Sequence, residues 1–217
     1  EAVPKARAVV NFAPILLEQL EDYIVQITSY LKGDGTIHDP VLAGLAQPAL
    51  PGDQQARLRL IRDCLRANRE RMINRFEPYK RLATMADWYE DHPQSLIYAS
   101  NQFLADLLVW YHLSWIAESV QRSDARIARL QEKAFNFTLH DRRELLSIIL
   151  QQLQSVVPRY RKLAEQGQVE LCMSPYAHPI IPLLLDMDCA REAMPDAHLP
   201  VTTDYPGGAA RAQWHIR

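Results

Sequence analysis

Glu170 lies between Val169 and Leu171, and His178 lies just beyond the same apolar run, between Ala177 and Pro179. A carboxylate among apolar neighbours costs free energy unless something binds it, and an imidazole past a strand's end is placed to meet a ligand or hold a proton. Val169, Leu171 and Met173 alternate with Glu170 and Cys172, so a period of two puts the carboxylate and the thiol on one strand face and the apolar side chains on the other. Pro179 biases His178 toward extended backbone, and Pro182 suits the first turn of a following helix. Strand, polar corner, helix is the order that a β/α unit presents.

The elements that must carry this corner are legible on both sides of it. Residues 6–12 read as a strand, and Pro14 opens a helix in which Leu16, Leu20, Tyr23, Ile27 and Leu31 recur at helical spacing until Gly33. Residues 33–52, with glycines and prolines but no periodicity, read as a long loop. Asp53 is placed to cap a helix with the stripe Leu58, Ile61, Leu65, Met72 and Phe76, and further helices are expected over about 79–91, 95–120 and 123–135. Thr138 with Asp141 has capping-box spacing and starts a helix that runs through Pro158 to Gly167. Two β/α segments therefore flank a helical insertion of roughly a hundred residues, far beyond the usual connection within such units.

Composition narrows the class. A net charge of −2 over 217 residues gives no basis for a nucleic-acid or membrane-surface role, and the most apolar run, 103–117, is too short to span a bilayer. Seven arginines between 57 and 75 alternate with Asp63 and Glu70, as on a solvated face. Three cysteines, Cys64, Cys172 and Cys189, form no disulfide framework and point to a reducing compartment, hence a cytoplasmic protein. Asp186, Asp188, Cys189, His198 and His178 match no zinc spacing, so no metal and no cofactor is expected.

The strand Gly167–Leu171 followed by Ser174-Pro175-Tyr176-Ala177-His178-Pro179-Ile180-Ile181-Pro182-Leu183-Leu184 resembles the second signature region of glycoside hydrolase family 57. Residues 9–20, 106–115 and 213–217 fit the same resemblance, closest to the branch called α-amylase/α-mannosidase. It implies an α/β fold, part of an irregular (β/α)7-type barrel, mostly helical by residue count because of the large insertion. The expected parts are residues 1–52 as a first β/α unit with its loop, 53–137 as the helical insertion, and 138–217 as helix, strand and signature corner.

The resemblance further implies retaining chemistry on α-glucans, by hydrolysis or transfer, with a nucleophilic Glu and an acidic Asp. Both are expected beyond Arg217, and a first signature is expected before Glu1, so these residues read as a piece of a larger enzyme, inert alone, whose partners are an α-glucan or oligosaccharide and the rest of the polypeptide. Within the chain no catalytic residue is assigned. Glu170, His178, Tyr176, Trp110 and Asp106 are the candidate substrate-binding residues. Each has a structural alternative: a strand carboxylate held by an Arg or backbone donors, a backbone-bonded imidazole, a rim tyrosine, a core tryptophan, and a buried cap. Trp110 and Trp115 do not share a helix stripe, so one is core. The rival chemistries are a metal-dependent deacetylase or α-mannosidase-like hydrolase and a non-catalytic helical interaction protein.

Overall fold

The computed structural model describes residues 6–202 and 204–217. In chain order the elements are strand β1 (Ala8–Phe12), helices α1 (Pro14–Lys32), α2 (Pro40–Ala46), α3 (Gln54–Cys64), α4 (Glu77–Asp91), α5 (Asn101–Trp115), α6 (Glu118–Ser123), α7 (Ala125–Lys133) and α8 (Leu139–Glu165), strand β2 (Val169–Met173), and helices α9 (Ile181–Leu185), α10 (Ala190–Ala193) and α11 (Gly208–Ile216). Two compact units result: the chain up to Tyr23 together with Gln154–Arg217, and Ile24–Leu153. Their boundaries fall inside α1 and α8.

In the first unit β1 and β2 pair in parallel, with Ala8 opposite Val169 and Phe12 opposite Met173. Among the described residues these strands form the only sheet. Mostly helix with a small parallel sheet is thus what the described residues form, and among them no closed barrel is seen. Register places Ala8, Val10, Phe12, Val169, Leu171 and Met173 on one face and Val9, Asn11, Glu170 and Cys172 on the other. The first face meets α8, where the Phe12 and Tyr160 rings pack edge-to-face at 5.0 Å. Gly167, at φ +67°, ends α8 and lets Gln168 enter the ladder, its carbonyl accepting from Ala8 N–H at 3.0 Å.

The second unit is built around α5, whose residues Phe103–Trp110, Leu113 and Ser114 are buried and which α2, α3 and α4 contact. Such burial round nearly the whole circumference explains its near-continuous apolar sequence. Part of the expected 33–52 loop is instead the buried helix α2. Asp39 caps it by accepting from Val41 and Leu42 N–H, Pro40 starts it, and Gly44 lets it approach Leu108, whose side chain lies 2.8 Å from where a Cβ would stand. Arg142, only 5% exposed, closes the other end by donating to the Gly44 and Gln47 carbonyls at 2.6 and 3.1 Å.

Two other helices are shorter than expected. The stripe from Leu58 to Phe76 is broken after Cys64, and Asn68 caps a π-helical turn, Arg69–Ile73, by accepting from Arg71 N–H. The 95–120 helix is α5 with a 3-10 turn, Pro93–Tyr98, before it, because Ser100 accepts from Phe103 N–H and restarts the chain. The arginine-rich segment is tied to carboxylates: Arg62 to Glu90 at 2.8 Å, Arg66 to Asp63 at 3.3 Å, Arg69 to Asp87 and Arg75 to Glu118. The Thr138–Asp141 capping box forms as expected, with Lys133 also on Asp141, and these donors hold the Asp141 carboxyl down at about 2 against the opposing effect of burial. Among the described residues no helix is long and apolar enough to cross a membrane.

His112 on α5 has a titration consequence. Burial of its ring pushes its pKa down to about 4, against the opposing effects of the hydrogen bond to the Leu108 carbonyl and of Asp39. The folded protein therefore holds His112 neutral where the unfolded chain, titrating near 6.5, takes up a proton. Stability is full above pH 6.5 and falls as pH drops toward 4, by up to about 3 kcal/mol. Urea midpoints between pH 7 and pH 4.5 should show this fall, and the His112 imidazole resonances should stay in their neutral positions down to pH 5.

Candidate functional site

The end of β2 is where polar groups collect. Ser174 N–H donates to the Phe12 carbonyl at 2.9 Å, extending the ladder one step, and Asn11 Nδ2 donates to Ser174 Oγ. Pro175 then turns the chain, and His178 N–H closes the turn on the Pro175 carbonyl at 2.8 Å. His178 is exposed with φ +56°, so its ring leaves from left-handed backbone and not from the extended segment that Pro179 suggested. The turn's closing bond outweighs the local preference at this residue.

Tyr176 is the most constrained residue in this corner. Its N–H donates to the His215 carbonyl at 2.8 Å, and its own carbonyl accepts from Ile15 N–H at 3.1 Å. Its hydroxyl donates to Glu18 Oε2, a bond that raises the phenol's pKa, and its ring meets Trp214 edge-on at 5.3 Å. One residue thus ties the start of α1 and the end of α11 to the exit of β2. Gly208 allows α11 to lie there: a Cβ at that position would stand 1.7 Å from the Leu184 carbonyl oxygen on α9.

Glu170 stands on the sheet face opposite Tyr160, beside Val9 and on the same side as Asn11 and Cys172. It is exposed, and no described residue holds its carboxylate. Glu170, Tyr176 and His178 therefore belong to one strand and its corner. Glu18, Trp214 and His215 join them there, three residues that sequence reasoning did not select. The pentapeptide that ends the chain, residues 213–217, fitted the resemblance, but nothing in its spacing tied Trp214 to Tyr176.

Asp106 and Trp110 are placed elsewhere, in the helical unit, and the expectation that they contact substrate is corrected. Asp106 is 5% exposed; it accepts from Phe137 N–H at 2.9 Å, from Asn136 N–H at 3.0 Å and from Gln102 Nε2 at 2.8 Å. Trp110 is 2% exposed, packs on Phe76 at 5.4 Å, and donates its indole N–H to the Ala134 carbonyl at 2.6 Å. One turn apart on α5, the pair clamps the α7–α8 connection, where Ala134 and Asn136 both have φ of 60°. A carboxylate saturated by buried amides and an enclosed indole have nothing left for a sugar. The acidic run after α9 is also locally engaged: Asp186 accepts from Asp188 N–H at 2.9 Å, and Asp188 pairs with Arg191 at 3.2 Å. Among the described residues no three His, Cys, Asp or Glu side chains gather closely enough to hold a metal.

Residues 36–201 match the family described as Glycosyl hydrolase family 57, a span that includes most of the helical unit, β2 and the Tyr176–His178 corner. No curated protein and no solved structure matches the chain.

The Asp106 clamp predicts a specific loss. Asp106→Ala leaves two amides of the 136–137 connection without an acceptor, and should lower unfolding stability by about 3 kcal/mol, read from denaturant midpoints. Hydrogen exchange at Asn136 and Phe137 should accelerate in the same variant.

Proposed function

The chain belongs to glycosyl hydrolase family 57, and on that premise we propose that it supplies substrate-binding parts of a retaining, amylase-like α-glucan hydrolase or 4-α-glucanotransferase. The observation that carries the reading is Glu170, an exposed carboxylate without a partner among the described residues, on the sheet face that α8 leaves open and one corner away from Tyr176 and His178. A strand carboxylate of this kind accepts hydroxyl hydrogen bonds, which are stronger to a charged acceptor than to a neutral one. Its role is to bind and orient a sugar, or to orient a neighbouring catalytic group.

In a retaining mechanism one carboxylate attacks the anomeric carbon while a second carboxylic acid protonates the departing glycosidic oxygen. Neither of those two carboxyls is assigned to a residue here. What Glu170, Tyr176 and His178 contribute is position, and position of reacting groups is worth several kcal/mol of barrier. The bare sheet supports placing these strands in a larger barrel. Val9 is 67% exposed and Met173 63%, and a two-stranded parallel sheet leaves edge groups unpaired that further strands would satisfy.

The test is made in the full-length protein with maltooligosaccharides. Glu170→Gln nearly preserves size while removing charge, and should lower kcat/KM about a hundredfold with an unchanged melting temperature. Wild-type turnover by this variant would return Glu170 to a structural role. Exhaustive chelation should leave activity intact, since the two-carboxylate mechanism needs no Lewis acid. Activity lost on chelation and restored by zinc would overturn the reading in favour of a metal-dependent hydrolase.

A further inference from the structure

Trp214 is the largest aromatic side chain of α11 and is 60% exposed, although it is not loose. Tyr176 meets its ring at 5.3 Å and an interplanar angle of 82°, and the His215 ring meets it at 4.8 Å and 74°. Tyr176 is in turn fixed through both its backbone groups and its hydroxyl. More than half of the Trp214 surface is therefore open to a ligand although its ring is held between two neighbours. The Trp214 side chain borders a recess of about 560 Å³ lined by Pro206, Gly207, Ala210, Arg211, Trp214 and His215.

The rim of the recess carries hydrogen-bond donors. Arg211 is steadied by its Nε bond to the Pro206 carbonyl at 3.3 Å and by stacking over Tyr205 at 5.6 Å, and its terminal NH2 groups have no hydrogen-bond partner among the described residues. His215 Nδ1 accepts from Ala177 N–H at 3.4 Å, so the ring proton sits on Nε2. An open aromatic plate with donors at its edge is complementary to a ligand with an apolar C–H face and a ring of hydroxyls. A pyranose has both, whereas a purely apolar ligand would leave the Arg211 and His215 donors without partners.

We propose that Trp214 is a stacking platform for one pyranose ring of the glucan, with Arg211 and His215 binding that ring's hydroxyls. This rests on the family reading above and adds a subsite to it. Tyr176 is then a positioning residue: it links the platform, through Trp214, to the corner that follows Glu170.

The experiment titrates the 217-residue chain with maltoheptaose while following the four tryptophan indole N–H resonances, and measures affinity calorimetrically. The Trp214 resonance should shift more than those of Trp88, Trp110 and Trp115, and Trp214→Ala should weaken binding at least tenfold. Trp115→Ala, which removes another exposed indole at 58% exposure, should leave affinity unchanged. If maltoheptaose binds the chain but Trp214→Ala retains wild-type affinity, or Trp115→Ala loses it, the platform assignment is overturned and the family reading stands. If the wild-type chain binds no maltoheptaose, the glucan-binding reading of this chain falls, and the platform with it.

Discussion

Parallel pairing of β1 with β2 is the constraint from which the rest of the architecture follows. Antiparallel strands can be joined by a turn of two residues, but a parallel pair obliges the chain to leave at one end and return to the other. Here the return uses all of residues 13–168, from the start of α1 to the end of α8. The helical unit is therefore carried inside a single crossover. Because Phe12 and Met173 are register partners, the segments that follow the two strands, α1 and the Tyr176–His178 corner, emerge from the same end of the sheet. That shared end is where the candidate site forms.

The site's precision comes from backbone groups more than from side chains. Tyr176 uses its N–H on α11 and its carbonyl on α1, so its ring and hydroxyl can be directed at Trp214 and Glu18 with little freedom remaining. Sites held this way lose little conformational entropy on binding. Gly208 belongs to the same design, since any side chain at that position would drive α11 off the Leu184 carbonyl and take Trp214 with it.

The helical unit solves a different problem with the same means. Its connections bend sharply, at Ala134 and Asn136 and again around α2, and each bend is held by a buried polar side chain: Asp106 and Trp110 on one, Arg142 on the other. Burying a charge is costly, but each of these meets backbone groups that would otherwise be unsatisfied. Charged residues inside this unit therefore mark structural joints.

Local rules settled what depends on neighbours in the chain. The alternation around Glu170, the Thr138–Asp141 capping box, Asp53 as a cap and the glycines at 33 and 167 were all legible, because strand period, capping and left-handed turns are decided within a few residues. The resemblance carried by residues 167–184 was legible for the same reason, and it identified the family. What only the tertiary structure decided was which polar residue serves which purpose. Asp106 and Trp110 offer the same groups as Glu170 and Trp214, a carboxylate and an indole, and both carboxylates have apolar neighbours in sequence. Contacts made across about thirty residues of chain turn the first pair inward, while register and the α11 contact turn the second pair outward. The buried helix α2 escaped notice likewise, because its glycine and flanking prolines read as a loop until Leu108 and Arg142 are brought against it. Propensity is a property of a segment; whether a side chain faces a neighbour or a ligand is a property of the fold.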